Sequence, residues 1–209
     1  MSKLVYLGHS AFLIKGNDFS LVTDPYKNNS VPNLRFPSIG EVDAVFCSHD
    51  HFDHNAKELV KIKNNPYPVK AVSVKVPHDH DSGAKRGLND INMFDADGYK
   101  IVHLGDTGCV LDAKTLEPFK NCDVLLGPIN GFFTIGPNEL KRIAEIIKPR
   151  IIIPMHYYME KYQSGYPDGY MIDAFLKLFQ DFEYVENEEL DLDKYKEYCG
   201  VLIFKKYLQ

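Results

Sequence analysis

Short apolar runs separated by turn residues dominate the first half of the chain. Residues 5–7, 11–14 and 19–23 read as strands, broken by Gly8-His9 and by Gly16-Asn17-Asp18. The second break joins its two runs in the manner of a hairpin. Residues 43–48 form a compact apolar run, the pattern of a strand covered on both faces. After it, Asn55 reads as a helix N-cap with Glu58 completing a capping box. Leu59, Val60 and Ile62 would supply that helix's apolar face, and Asn64-Asn65-Pro66 would stop it.

The second half repeats this logic. Residues 69–76 and 99–104 read as strands, 91–94 as a weaker one, and 123–126 as another buried one. Gly136-Pro137-Asn138-Glu139 opens a helix in which Leu140, Ile143, Ala144 and Ile147 keep helical spacing, and Pro149 ends it. A strand at 150–153, a helix over 168–179 and strands at 182–186 and 201–204 follow, while the acidic stretch 187–197 has no clear pattern. No flexible linker or internal repeat divides the chain, so one domain over 1–209 is expected. Strands arrive in two batches, with helices late in each. That order suggests two packed sheets with helices outside rather than a simple βαβ alternation.

Composition narrows the partners. In 209 residues, 24 Lys+Arg stand against 29 Asp+Glu, a formal charge of −5. This gives no general attraction to phosphate backbones. No apolar run approaches the roughly 20 residues that span a bilayer, and the N-terminus lacks a signal-peptide pattern. Cys47, Cys109, Cys122 and Cys199 are scattered with no C-x-x-C pair, which fits a reduced, cytoplasmic setting. The expected partner is a small molecule, not a membrane or a nucleic acid; homo-oligomerisation stays open.

The chemistry concentrates in Ser48-His49-Asp50-His51-Phe52-Asp53-His54-Asn55. Imidazole and carboxylate are the usual ligands of zinc and related divalent ions. His49 and His51 are two apart, so on an extended chain both rings fall on one side, while Asp53 and His54 follow as the chain turns. Surface histidines on a polar loop would be the plain alternative, but an H-x-H-x-D-H run between a strand and a helix entry argues for a metal site.

This run resembles the signature of the metallo-β-lactamase superfamily, and the rest of the chain carries counterparts of its other motifs in order. Asp24 lies in Thr23-Asp24-Pro25, His78 in Pro77-His78-Asp79-His80, Asp106 in Gly105-Asp106-Thr107-Gly108, and His156 in Pro154-Met155-His156-Tyr157. Gly8-His9-Ser10, the segment from Gly83-Ala84-Lys85 to Asn89, and Ile153-Pro154-Met155-His156-Tyr157 are most similar to the branch of cytoplasmic metal-dependent hydrolases that contains the ascorbate-6-phosphate lactonase. The resemblance runs from Gly8 to Tyr157 and thins out beyond.

It implies an α/β fold, a four-layer αβ/βα sandwich of two mixed sheets with outer helices and a dinuclear metal site at one edge. His49, His51 and His78 would hold one ion, Asp53, His54 and His156 the other, and Asp106 would bridge them. His80 competes with His78 for the third-histidine role, and the distance to Lys85-Arg86-Gly87 favours His78. Asp24 would orient a ligand histidine; His9 and His103 read as residues around the ligands or in the core. Two divalent ions, zinc or manganese with iron as an option, would generate a bound hydroxide that attacks a small, anionic or neutral, ester, lactone or phosphodiester. Asp53 would double as the catalytic proton carrier. Arg86, with Lys85 beside it, and Asn130, Thr134 and Tyr157 are candidate substrate contacts, Tyr158 a further cap on the cleft, and 161–169 a candidate lid. Cys47 reads as a core residue. A nuclease of the same fold and a non-catalytic metal- or ligand-binding member are the competing readings. A redox di-iron protein fits less well, because that branch typically has glutamate where this chain has His51.

Overall fold

The computed structural model describes residues 2–209. Its first half runs through β1 (Lys3–Gly8), β2 (Ala11–Lys15), β3 (Ser20–Thr23), β4 (Glu41–Val42), β5 (Ala44–Phe46) and β6 (Lys61–Ile62). Then come β7 (Val72–Pro77), β8 (Leu88–Ala96), β9 (Tyr99–His103), helix α1 (Ala113–Leu116), β10 (Val124–Pro128), α2 (Pro137–Ile147) and β11 (Ile151–Met155). The chain closes with α3 (Ile172–Leu176), β12 (Phe182–Val185), β13 (Glu189–Asp191) and β14 (Gly200–Phe204).

These strands build a five-stranded sheet in the order β13-β1-β2-β3-β5 and a seven-stranded sheet in the order β12-β14-β11-β10-β9-β8-β7. β4 and β6 pair separately. In the first sheet β1, β3 and β5 point the same way, because β2 runs antiparallel to both of its neighbours and β3 pairs parallel with β5. In the second, β9, β10, β11, β14 and β12 are parallel, and β7 matches their direction through the antiparallel β8.

One core lies between the sheets, where Leu4, Tyr6, Phe12 and Ile14 meet Phe94, Ile101, Leu126 and Phe204. A second core forms where α2 lays Leu140, Ile143, Ala144 and Ile147 against Val102, Leu125 and Ile203, with Leu116 and Phe175 from α1 and α3 beside them. The helical spacing of α2 thus becomes burial as expected, and Glu139 accepts a hydrogen bond from Gly136 N at its start.

The mixed α/β architecture agrees with the sequence reading, and the departures are local. All three α-helices pack on the seven-stranded sheet's core. On the five-stranded sheet, Leu4, Val5, Tyr6 and Leu7 are all buried, so both faces of β1 are covered; Tyr26, Val31 and Leu34 of the loop after β3 belong to that core. The outer helix expected there is absent. Asn55 bonds through Nδ2 to Asp50 instead of capping, and the following residues make a single 3-10 turn (Lys57–Leu59) and β6. Leu59 and Ile62 stay exposed while Val60 alone of the three is buried, so their spacing mimicked an amphipathic face. The helix expected over 168–179 contracts to α3, and the acidic stretch supplies β13, whose Leu190 side chain is buried against β1's sheet.

Asp43 fastens β5 to its surroundings. Its carboxylate accepts from Ser20 N (2.7 Å), Tyr67 N (2.8 Å) and Lys63 Nζ (2.7 Å). Burial pushes this carboxyl up, but the Lys63 ammonium and the two backbone donors override it and hold it at about 2, below the ordinary 3.8. A folded-state value below the unfolded one adds stability that is present above about pH 4 and is lost as pH falls through about 2. Asp43→Asn is expected to lower unfolding free energy at neutral pH by about 1–3 kcal/mol, from lost charged hydrogen bonds. In urea titrations the gap between parent and variant should shrink as pH drops from about 4 toward 2; a gap that does not change with pH would assign the effect to shape instead of charge.

Candidate metal centre

Because β1, β3, β5, β7, β9 and β11 share a direction within their sheets, their C-terminal ends deliver the polar residues to one edge. His9 follows β1, Asp24 follows β3, the 48–54 loop follows β5, His78 follows β7, Asp106 lies just beyond β9 and His156 follows β11. The two sheets are stitched together at this edge: His156 N donates to His9 O (3.0 Å) and Asp90 N to Ser48 O (2.7 Å). His9, Asp24 and His156 take left-handed backbone (φ 55°, 42° and 55°), a conformation costing of order 1–3 kcal/mol for non-glycine residues that the surrounding packing must impose.

Ligand-type atoms converge in overlapping sets. His49, His51 and His78 bring theirs within 4.8 Å of one another; so do His9, Asp53, His54 and His156, and so do His49, His54 and Asp106. Asp106 stands between the sets, with Oδ2 3.2 Å from His54 Nε2, 3.2 Å from His156 Nε2 and 3.6 Å from His78 Nε2. His54 Nε2, both nitrogens of His156, His9 Nε2, His78 Nδ1 and Asp106 Oδ1 are nonetheless buried without a hydrogen-bond partner. Each such atom costs roughly 1–3 kcal/mol when nothing answers it. Nitrogen and carboxylate donors left bare and facing one another are what divalent cations satisfy, so these residues fit a metal site.

The protonation pattern agrees. Burial, reinforced by His54, lowers His49 to about 3, and burial together with His156 lowers His9 to about 4, leaving both as neutral lone-pair donors. Burial pushes the Asp106 carboxyl up, yet His156 and His54 override it and hold it well below the usual range. His54 goes the other way: burial would lower it, but Asp106, Asp53 and Asp24 hold it well above its ordinary value. Those carboxylates call for positive charge at this spot, which a proton or a metal can supply.

Asp24 orders the ligands from behind. Its Oδ2 accepts from His54 Nδ1 (2.8 Å) and from Ser48 Oγ (2.7 Å), and its Oδ1 accepts from Ser48 N (2.6 Å). Since Ser48 Oγ gives its proton to Asp24, it accepts from His49 Nδ1 (3.0 Å), which leaves the lone pair on His49 Nε2, 2.9 Å from His51 Nδ1. Asn89 does similar work for Asp106, taking its N–H on Oδ1 (2.7 Å) while its own amide donates to Leu104 O. Glycine is required on both sides: a Cβ on Gly105 would sit 2.4 Å from Ser48 Cβ, and one on Gly108 2.2 Å from Asp79 N.

Other candidates find different places. His80 is exposed, 3.9 Å from Glu139, so His78 is the histidine that reaches the centre. His103 sits in the core with Nε2 2.8 Å from Ser10 O. His9, expected around the ligands, joins the Asp53 set directly, with Nε2 3.4 Å from Asp53 Oδ2. A cavity of about 240 Å3 opens over the cluster, lined by His51, Asp53, His78, Asp106 and His156 and by Arg86, Phe133 and Tyr166. Asn130, Thr134 and Tyr157, expected there, do not line it. Asn130 is buried with Oδ1 accepting from Phe132 N and Phe133 N, Thr134 Oγ1 donates to Ile135 O, and Tyr157 packs in the second core. Tyr166 was not singled out in the sequence, although it lies in the segment read as a lid. Its hydroxyl is 3.1 Å from Asp53 Oδ2 and from Ser30 O. All four cysteines are free, and burial pushes the Cys47 thiol up to about 12, which removes it as a nucleophile.

Comparison with known proteins places this arrangement. Residues 3–156 match the model of the beta-lactamase superfamily domain. A UPF0173 metal-dependent hydrolase of Thermococcus onnurineus is 32% identical, over 75% of this chain and 85% of the relative. One from Korarchaeum cryptofilum is 26% identical, over 80% of this chain and 88% of the relative. A solved Thermotoga maritima structure, described as a candidate Zn-dependent hydrolase of the metallo-beta-lactamase superfamily, is 32% identical and covers 100% of both chains at a TM-score of 0.78. These likenesses carry the superfamily; they do not single out the lactonase branch.

Asp106→Ala is expected to lose about half or more of the metal that the parent binds, read by elemental mass spectrometry after zinc or manganese loading. Asp24→Asn should weaken metal affinity roughly 10- to 100-fold through disordered ligand histidines. His80→Ala should match the parent. Full metal content in Asp106→Ala would remove that residue from the centre.

Proposed function

The chain belongs to the beta-lactamase superfamily, and from that premise we propose that it is a metal-dependent hydrolase with a dinuclear centre acting on a small ester, lactone or phosphodiester. The observation that carries this reading is the bare Asp106 carboxylate between the His49/His51/His78 set and the set of His9, Asp53, His54 and His156. The curated relatives described above, named as metal-dependent hydrolases, support it. Zinc and manganese both suit the mixed nitrogen and oxygen donors.

Bound divalent ions would supply Lewis-acid polarisation and a water of lowered pKa. The chain's own residues do the rest. Asp24, directly and through Ser48, sets the tautomers of His54 and His49. Asp53, held ionised against its burial by His54 and His9, can take the proton of an attacking water and return it to the leaving group. Burial and the nearby Asp53 push the Tyr166 phenol up, so it stays protonated and can donate to Asp53, steadying that carboxylate at the cavity wall. Phe133 and Tyr166 form the apolar side, with ring centroids 4.9 Å apart. A cavity of about 240 Å3 lies below the ~300–1,000 Å3 of common ligand sites, which favours a small substrate over a polynucleotide strand.

The test is a panel of a lactone, a simple ester, a phosphodiester, a thioester and a β-lactam, each with and without added zinc or manganese. Turnover of at least one member that chelation abolishes and metal restores is the expected result; no turnover in fully loaded protein would favour a non-catalytic metal binder. On the substrate that responds, Tyr166→Phe should lower kcat/KM by about 10- to 100-fold with unchanged metal content. An unchanged rate would detach Tyr166 from the chemistry.

A further inference from the structure

The metal cavity has one cationic side chain among the described residues that line it, Arg86, and that charge has no carboxylate partner within ion-pair distance. Its neighbour Lys85 is different: it pairs with Asp81 and is thereby engaged. The contact of Arg86 Nη1 with Phe132 O is 3.5 Å, longer than an ordinary hydrogen bond. The guanidinium instead lies over the Phe133 ring, its carbon 5.1 Å from the centroid. A guanidinium carries five N–H groups in a fork geometry that matches a carboxylate or phosphate, and beyond the long contact to Phe132 O no side-chain acceptor engages them here.

The side chain is also placed by construction. Asp79, next to the ligand His78, accepts four backbone donors from the loop that carries Arg86: Asp81 N (2.8 Å) and Gly83 N (2.9 Å) on Oδ1, Lys85 N (3.0 Å) and Arg86 N (2.8 Å) on Oδ2. The ring beneath the guanidinium is fixed as well, since Asn130 Oδ1 accepts Phe133 N (3.0 Å) and the space beside the Asn130 amide at Gly169 has no room for a Cβ. A cation merely bracing the loop would sit on a well-formed acceptor. This one is held at its backbone and against the Phe133 ring, and it lines the cavity without a carboxylate partner.

The geometry points to Arg86 as the specificity-determining residue of the site: it binds an oxyanion, carboxylate or phosphate, that the substrate carries beside the bond to be cleaved. The inference rests on the hydrolase reading above. With the carboxylates of Asp53 and Asp106 turned to the proposed ions, Arg86 is the cation of the cavity lining that remains for a substrate oxyanion.

Two arms test this on the metal-loaded full-length protein. In the first, inorganic phosphate and succinate are titrated calorimetrically into the parent, Arg86→Ala and Arg86→Lys. Anions held by the metals alone would bind all three proteins equally. The expected result is a loss of roughly tenfold or more in Arg86→Ala for one of the two anions, with Arg86→Lys between; whichever anion responds identifies the group. In the second arm, kcat/KM is compared for phenyl butyrate, monophenyl succinate and a phenyl ester bearing a terminal phosphate. Arg86→Ala should lower the anionic-to-neutral ratio of kcat/KM about tenfold, chiefly through KM for the anionic esters, with metal content unchanged. Equal anion affinity in parent and Arg86→Ala, or no anion binding by the parent, overturns the proposal. If no ester is turned over by any protein, the hydrolase reading fails, and the calorimetric arm still decides Arg86.

Discussion

A carboxylate buried among imidazoles is the constraint on which the rest depends. Asp106 is 2% exposed, and its Oδ1 has no partner. An ionised carboxylate in such a place is tolerated only where compensating charge and donors are already assembled around it. The fold provides them from both sheets at once: His54 comes from the loop after β5, His78 and His156 from the ends of β7 and β11. The backbone bonds that join His9 to His156 and Ser48 to Asp90 therefore do more than close the sandwich, because they fix the separation of the donor sets. Gly105 and Gly108 let the chain around Asp106 approach Ser48 and Asp79 more closely than any side chain would allow. Asn89 then orients the carboxylate's own backbone.

This constraint also explains which parts were legible in the sequence. Candidate ligands that follow apolar strands in motifs, such as His49, His54 and Asp106, could be read because a strand's end and its polar tail are adjacent in the chain. The choice between His78 and His80 could not be settled by composition. It is made by burial, since His78 continues β7 inward while His80 turns out to solvent. His9 was harder to place because it stands apart from the histidine-rich run. Its signal was positional: Gly8-His9-Ser10 ends β1, which runs parallel to β3 and β5, the strands that lead into Asp24 and the 48–54 loop. The helix expected after Asn55 failed for a physical reason as well. A cap needs Asn55 Oδ1 to accept a backbone N–H, but the side chain is turned so that Nδ2 donates to Asp50 and Oδ1 meets no donor. Asp79 and Asn89 lay inside motifs already noted, but side chains that serve backbone groups leave no periodicity to read.

Substrate contacts were the least legible, and the structure shows why. Polar residues in a pocket loop can face the ligand or hold the loop, and the sequence does not distinguish the two. Asn130 is the clear case: its amide oxygen takes the backbone N–H groups of Phe132 and Phe133, so the residue that looked like a contact instead shapes the turn that presents Phe133. Asp79 plays the same part for Arg86. The loops that present Arg86 and Phe133 are each folded by one short polar side chain at the base, and the side chain that reaches the cavity is a consequence of that fold.

Such a design separates two tasks that share one cavity. The metal-type ligands stand at strand ends, where a shift of backbone would disturb both sheets. Arg86 and Phe133 ride on loops whose shape is decided locally, and Tyr166 enters from a third segment tied to the 27–36 loop through Ser30 O and through the bond of Gly165 N to Pro32 O. Replacing a loop's outward residue leaves its anchor intact, so the recognised group can change without cost to the metal frame. The reverse does not hold. Asp79 adjoins His78, and Gly108 packs directly against their backbone, so a change at the anchor propagates to a ligand. On the proposed reading, selectivity resides in side chains that the fold can spare, and the metal-type frame in those it cannot.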